Sequence, residues 1–122
     1  MWNVVERRVD RSSRLDEALT RLLRVQRERG ELDLIVLATT EGLVVAYDGP
    51  RADCEELAAY APLVARGRAL AVDPRRLQGV TVHTFLAGRQ ELVLAIRGGV
   101  RADVTSALAL SSMQGATRIL RG

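Results

Sequence analysis

At 122 residues the chain has the length of one ordinary domain and can bury a core without disulfide or metal staples. Hydrophobic residues make up 48% and charged residues 27%, a balance that argues against an intrinsically disordered or membrane-embedded chain. The net charge of +3 belongs to residues 1–30, where eight Arg face five acids, because the remainder holds ten of each.

All 18 cationic residues are Arg, and Asn occurs only at position 3. Guanidinium groups grip phosphates well, but aromatic residues reach only 3%, too few to stack bases, and no motif of a nucleic-acid-binding fold is present. Nucleic acid is therefore not an expected partner. Cys54 is the single cysteine, which excludes an internal disulfide and a cysteine-based metal cluster. The longest uncharged run, Val104 to Thr117, is too short and too rich in Ser, Gly and Gln to span a bilayer. Charges follow Met1-Trp2-Asn3 almost at once, unlike a signal peptide, so a cytoplasmic location is expected.

In chain order, residues 1–12 read as an N-terminal extension and 13–122 as one domain. Ser13, with Asp16 three residues on, forms a weak capping box for a first helix that Gly30 can end. Leu15, Ala18, Leu19, Leu22 and Leu23 repeat at the helical period, while Arg14, Glu17, Arg21, Arg24 and Glu28 occupy the other face. Glu17 and Arg21 have the spacing of a helical ion pair, so this face reads as solvated and self-paired.

Next come two short apolar runs, DLIVLATT and LVVAYD, separated by Glu41-Gly42, where Gly supplies the positive φ of a hairpin turn. Leu34 to Ala38 is apolar at consecutive rather than alternate positions, the pattern of a strand covered on both faces. After Gly49-Pro50, Asp53 and Glu56 are expected to cap a second helix, CEELAAYAPLVARGRAL, which Pro62 should kink or split near Ala58. In helical projection Leu57, Ala61 and Val64 point one way while Tyr60 and Leu63 point another, more apolar surface than one sheet face can cover.

Asp73-Pro74 breaks the chain, and VTVHTFLA followed by ELVLAIRG reads as a second hairpin around Gly88. The segment Arg75 to Gly79 is assigned a short edge strand or none. A closing helix runs from Asp103, its expected cap, to Leu120, with Ala107, Ser111 and Gly115 as a small-residue ridge set against the sheet. The alternative, in which Thr105 to Leu110 forms a strand, stays open. The class is α+β, an antiparallel sheet of four to five strands sandwiched by helices.

This order, with the hairpin LIVLATTEGLVVAYDG and the Ala- and Leu-rich helix after it, resembles the roadblock (dynein light chain) family and its longin-like fold, over Ser13 to Leu120. The Arg-only, Asn-poor composition suits a GC-rich bacterial genome, and among bacterial members the chain looks most like the MglB and MglC group. The resemblance implies a homodimer with antiparallel central helices, here through Leu57, Tyr60, Ala61, Leu63 and Val64, and edge strands joined in one sheet. It also implies a regulator or scaffold of a Ras-like small GTPase in polarity and motility, with another roadblock protein as a further partner. Arg66 and Arg68, at the end of the central helix, are the candidate partner-binding residues. The short or missing strand near Arg75 departs from the family pattern.

No catalytic constellation is visible. With no Lys in the chain, a Walker-type phosphate grip is excluded in its usual form. His83 is the only histidine and cannot build a His-based metal site alone. Cys54 lies in a helix first turn, where a thiolate is favoured, but with no second Cys it reads as a packed thiol. Asp53, Glu55 and Glu56 are accounted for by capping. The chain is expected to be a non-enzyme without cofactor or metal. A second functional class, a small-molecule-sensing α+β domain, requires a pocket lined by convergent polar groups, and the sequence displays none.

Overall fold

The computed structural model describes residues 2–68 and 71–121, with side chains from Ser13 onward. The elements are α1 (Trp2–Gly30), β1 (Leu32–Thr39), β2 (Val44–Asp48), α2 (Arg51–Ala65), a 3-10 turn (Pro74–Leu77), β3 (Val80–Ala87), β4 (Gln90–Gly98) and α3 (Ala102–Arg121). All strand pairings are antiparallel and the order across the sheet is β2-β1-β4-β3.

The two central strands explain the layering. Leu34, Ile35, Val36, Leu37 and Ala38 are each no more than 1% exposed, as are Leu92 to Ile96 on β4. Strand side chains alternate in direction, so each strand feeds two cores. Ile35, Leu37, Leu92, Leu94 and Ile96 pack with Leu19 and Leu23 of α1 and Ala109 and Ala116 of α3. Leu34, Val36, Val93 and Ala95 pack with Cys54, Leu57, Ala58 and Ala61 of α2. Two helices thus cover one face and one helix the other.

Several local expectations are corrected. No helix begins at Ser13: α1 runs unbroken from Trp2. It does end at Gly30, as expected, with Glu31 following in the left-handed region at φ 51. Position 30 is also tightly packed, since a Cβ there would lie 2.4 Å from Leu108 Cδ1, whose side chain would have to shift. Gly115 does the same further along, where a Cβ would meet Leu22 Cδ1 at 2.9 Å. The small-residue ridge of α3 therefore faces α1 and not the sheet, and Ala107 is exposed. Among the described residues Glu17 and Arg21 form no ion pair; Arg24 and Arg27 instead reach Asp48 at 3.8 and 3.3 Å.

Pro62 does not split α2, which is continuous from Arg51 to Ala65, and Pro62 itself is buried. Neither Asp53 nor Glu56 caps it: Pro50 occupies the N-cap with no side-chain bond, and Glu56 pairs with Arg76. Ala69 and Leu70, the last two residues of the expected helix, lie outside the described residues. Arg75 to Gly79 holds no strand, because Pro74–Leu77 closes a 3-10 turn in which Asp73 accepts from the Arg75 amide. Thr105 to Leu110 is helical, and Asp103 pairs with Arg101 instead of capping.

Gln26 is 4% exposed between α1 and α3; its amide donates to Ser111 Oγ at 3.1 Å, while Oε1 has no partner. A buried acceptor left unpaired is destabilising. Gln26→Met should therefore raise unfolding stability by about 1 kcal/mol, whereas Leu94→Ala should lower it by about 2–5 kcal/mol through cavity formation. Urea unfolding followed by circular dichroism measures both.

Cys54 is fully buried on the sheet-facing side of α2. Burial, reinforced by Asp53 and Asp48, pushes its thiol up to about 11. The raised value means that the folded state holds the neutral thiol. Its contribution to stability is complete below the ordinary value of 9.0 and is lost as pH rises from there through about 11. Native protein should resist alkylation by iodoacetamide at mildly alkaline pH and react once urea unfolds it, as mass spectrometry would record.

Candidate interaction surface

The β1–β2 hairpin, α2 and the segment after it build one side of the molecule. Gly49 and Pro50 turn the chain out of β2, and the Cys54 amide bonds to the Pro50 carbonyl at 3.0 Å to open α2. Proline is well placed there because a helix start needs no donor from its own nitrogen. The far end closes with the Gly67 amide on the Val64 carbonyl and the Arg68 amide on the Leu63 carbonyl, at 3.0 and 2.8 Å. This pair of bonds is a Schellman arrangement.

Between those ends α2 has two distinct sides. Cys54, Leu57, Ala58, Ala61 and Pro62 are buried against the sheet. Leu57 and Ala61 are 0% exposed within the single chain, which corrects their assignment to a dimer interface: both belong to the monomer core. Tyr60, Leu63 and Val64 are half-buried, and Ala52, Glu55 and Ala59 are exposed. The outward stripe is thus Ala59, Tyr60 and Leu63, flanked by Val64. It carries charge only toward its ends, with the Arg51–Glu55 pair at 2.9 Å on one side and Arg66 on the other. Ala59 is the residue that periodicity overlooked, because a small apolar side chain looks the same on either side of a helix.

Arg66 and Arg68 are both exposed at the end of α2. Arg66 Nη2 donates to the Thr40 carbonyl at 3.2 Å and so ties the helix end to the β1–β2 turn. Arg68 takes part through its backbone alone in the bonds the structure records. At the opposite end, Asp33, Glu56, Arg75, Arg76 and Arg97 line an open cleft of about 380 Å³. There Arg76 pairs with Glu56, and Arg97 donates to the Arg76 carbonyl at 3.1 Å. Cations and acids alternate in this cleft, so it favours neither sign strongly.

His83 is half-buried on β3 and, with Thr105, Ser106 and Gly99, borders an open cleft of about 300 Å³ beside the start of α3. Cys54 is in the opposite core, on the inner side of α2. The two residues that could have joined in nucleophilic chemistry are thereby placed on different faces of the sheet. Among the described residues, no group of three or more His, Cys, Asp or Glu could hold a metal ion. No described helix is long and apolar enough to cross a membrane.

No family model and no curated protein matches the chain. Among solved structures it is similar to Myxococcus xanthus MglB, at 12% identity, with 90% of each chain covered and a TM-score of 0.55. At that identity the likeness is one of architecture. Three helices around a four-stranded antiparallel sheet in the order α-β-β-α-β-β-α constitute a roadblock/longin-like α+β fold, and that is the fold of this chain.

Proposed function

We propose that the chain is a non-catalytic, dimeric interaction module that regulates or scaffolds a Ras-like small GTPase in the cytoplasm of a bacterium, in a polarity or motility system, with another roadblock protein as a further partner. The observation that carries the reading is the outward stripe of α2, where Ala59 is exposed and Tyr60 and Leu63 are only half-buried in the single chain, on a fold shared with MglB. A helix with apolar residues on both of its sides stabilises itself further by meeting a second apolar surface. A second copy in two-fold arrangement supplies one, because the same stripe then meets itself.

A GTPase brings its own nucleotide grip, magnesium site and water-positioning residue. A partner needs only to press on those groups, which is why a chain with no lysine and one histidine can serve. The rival reading, a small-molecule sensor, needs a chamber between helix and sheet. That space is occupied here by Leu57, Ala58 and Ala61 on one face and by Leu19, Leu23 and Ala109 on the other.

Sedimentation should give a dimer at micromolar concentration. Leu63→Arg should give a folded monomer, since the half-buried side chain reaches the outward stripe rather than the core; an unfolded chain in circular dichroism, or an unchanged dimer, would remove the stripe from the interface. Purified protein alone should neither bind nor hydrolyse GTP, and turnover should change only when a cognate GTPase is added. If Arg66 and Arg68 belong to the binding surface, replacing both by Ala should weaken that partner by about 1–2 kcal/mol in calorimetry, and unchanged affinity would leave them as helix-end charges.

A further inference from the structure

The outward face of α3 carries an unusual arrangement of charge. Asp103, Ala107, Leu110, Gln114 and Arg118 follow one another at steps of three or four residues and so share one side of the helix. All five are exposed, and Leu110 is 55% exposed. The solvent side of a helix is normally laced with charges. Here none occurs between Asp103 and Arg118, about four turns of helix, although charged residues make up 27% of the chain.

The charges at the two ends are opposite in sign and symmetrically placed. Asp103 stands seven residues before Leu110, and Arg118 stands eight after it. Laid antiparallel across a two-fold axis beside Leu110, the face therefore matches itself: Asp103 comes level with Arg118 of the second copy, Ala107 with its Gln114, and Leu110 lies next to its own counterpart. Within one chain the two ends cannot neutralise each other, because the helix holds them about 22 Å apart. Arg118 has no carboxylate partner among the described residues, and Asp103 has only the exposed Arg101, an ion pair of small worth in water. An uncharged centre bearing a leucine, rimmed by complementary charges, suits an isologous contact. We infer that this face of α3 is a contact between two copies of the chain. It lies on the other side of the sheet from the α2 stripe and is independent of it, so dimers formed through α2 can join further through α3.

The test is made in the Leu63→Arg background, where association through α2 does not mask it. That variant, monomeric at micromolar concentration, should self-associate in sedimentation as its concentration rises toward the millimolar range, since a contact one helix wide is small. Adding Asp103→Arg, or adding Arg118→Asp, sets like charges face to face and should weaken this association by about fivefold or more, with circular dichroism unchanged. An equimolar mixture of those two variants should restore it, because in a mixed pair both rim contacts are again between opposite charges. Leu110→Glu should abolish it. The inference is overturned if Leu63→Arg stays monomeric throughout, if the charge reversals have no effect, or if the mixture associates no better than its components. If Leu63→Arg instead leaves a full dimer that Asp103→Arg dissolves, the α3 contact stands and the α2 interface falls.

Discussion

Everything in this architecture follows from two adjacent strands that are apolar on both faces. A strand with one wet face can end a protein's outer layer; β1 and β4 cannot, because exposing either face would return fully buried residues such as Ile35, Val36, Leu94 and Ala95 to water. At about 25 cal/mol per Å² of apolar area, uncovering one face of both strands would cost several residues' worth of burial. Helices are obligatory above and below, and the connections supply them: the crossing from β2 to β3 carries α2 to one face, and the two ends of the chain carry α1 and α3 to the other.

On the two-helix face the limiting problem is space. α1 and α3 approach so closely that positions 30 and 115 cannot bear a side chain without displacing Leu108 or Leu22. The polar groups drawn into that layer are mostly satisfied locally: the Ser112 and Thr117 hydroxyls donate to carbonyls four residues earlier in α3, and the Thr105 hydroxyl donates to the Arg101 carbonyl just before it. Arg27 closes the layer at its edge, donating to the Leu32 and Asp33 carbonyls at 3.2 Å and meeting Asp48. The surface of this pair is half-exposed, so the ion pair contributes less than the carbonyl bonds that shape the turn from α1 into β1.

On the opposite face a single helix has to cover a wide sheet. α2 does so with its small residues inward, Ala58 and Ala61 beside Leu57, which brings the helix close and leaves the larger Tyr60, Leu63 and Val64 at its margins. The same economy leaves β3 uncovered along its outer edge, since no strand follows the 3-10 turn. Two unlike features result in the single chain, an apolar helical stripe and a terminal strand with no further strand beside it.

The sequence by itself determined the element order, the doubly buried central strands, the two hairpins and the α+β class, because those depend on local apolar patterning and on glycine and proline positions; the roadblock/longin-like fold entered only as a resemblance of that order. Continuous apolarity from Leu34 to Ala38 and from Leu92 to Ile96 can be satisfied in few ways, so it was readable without coordinates. What tertiary structure decided were choices between equally plausible partners. The Ala107, Ser111 and Gly115 ridge looked like a sheet contact, but Ser111 and Gly115 face α1 and Ala107 is exposed; Asp53 and Glu56 looked like caps, and Glu56 instead holds Arg76 from the 3-10 turn. The division of α2 belongs to the same category. Leu57 and Ala61 could not be told from Tyr60 and Leu63 by hydrophobicity, since burial depends on which side of the helix the sheet occupies, and that side is set by chain segments tens of residues away.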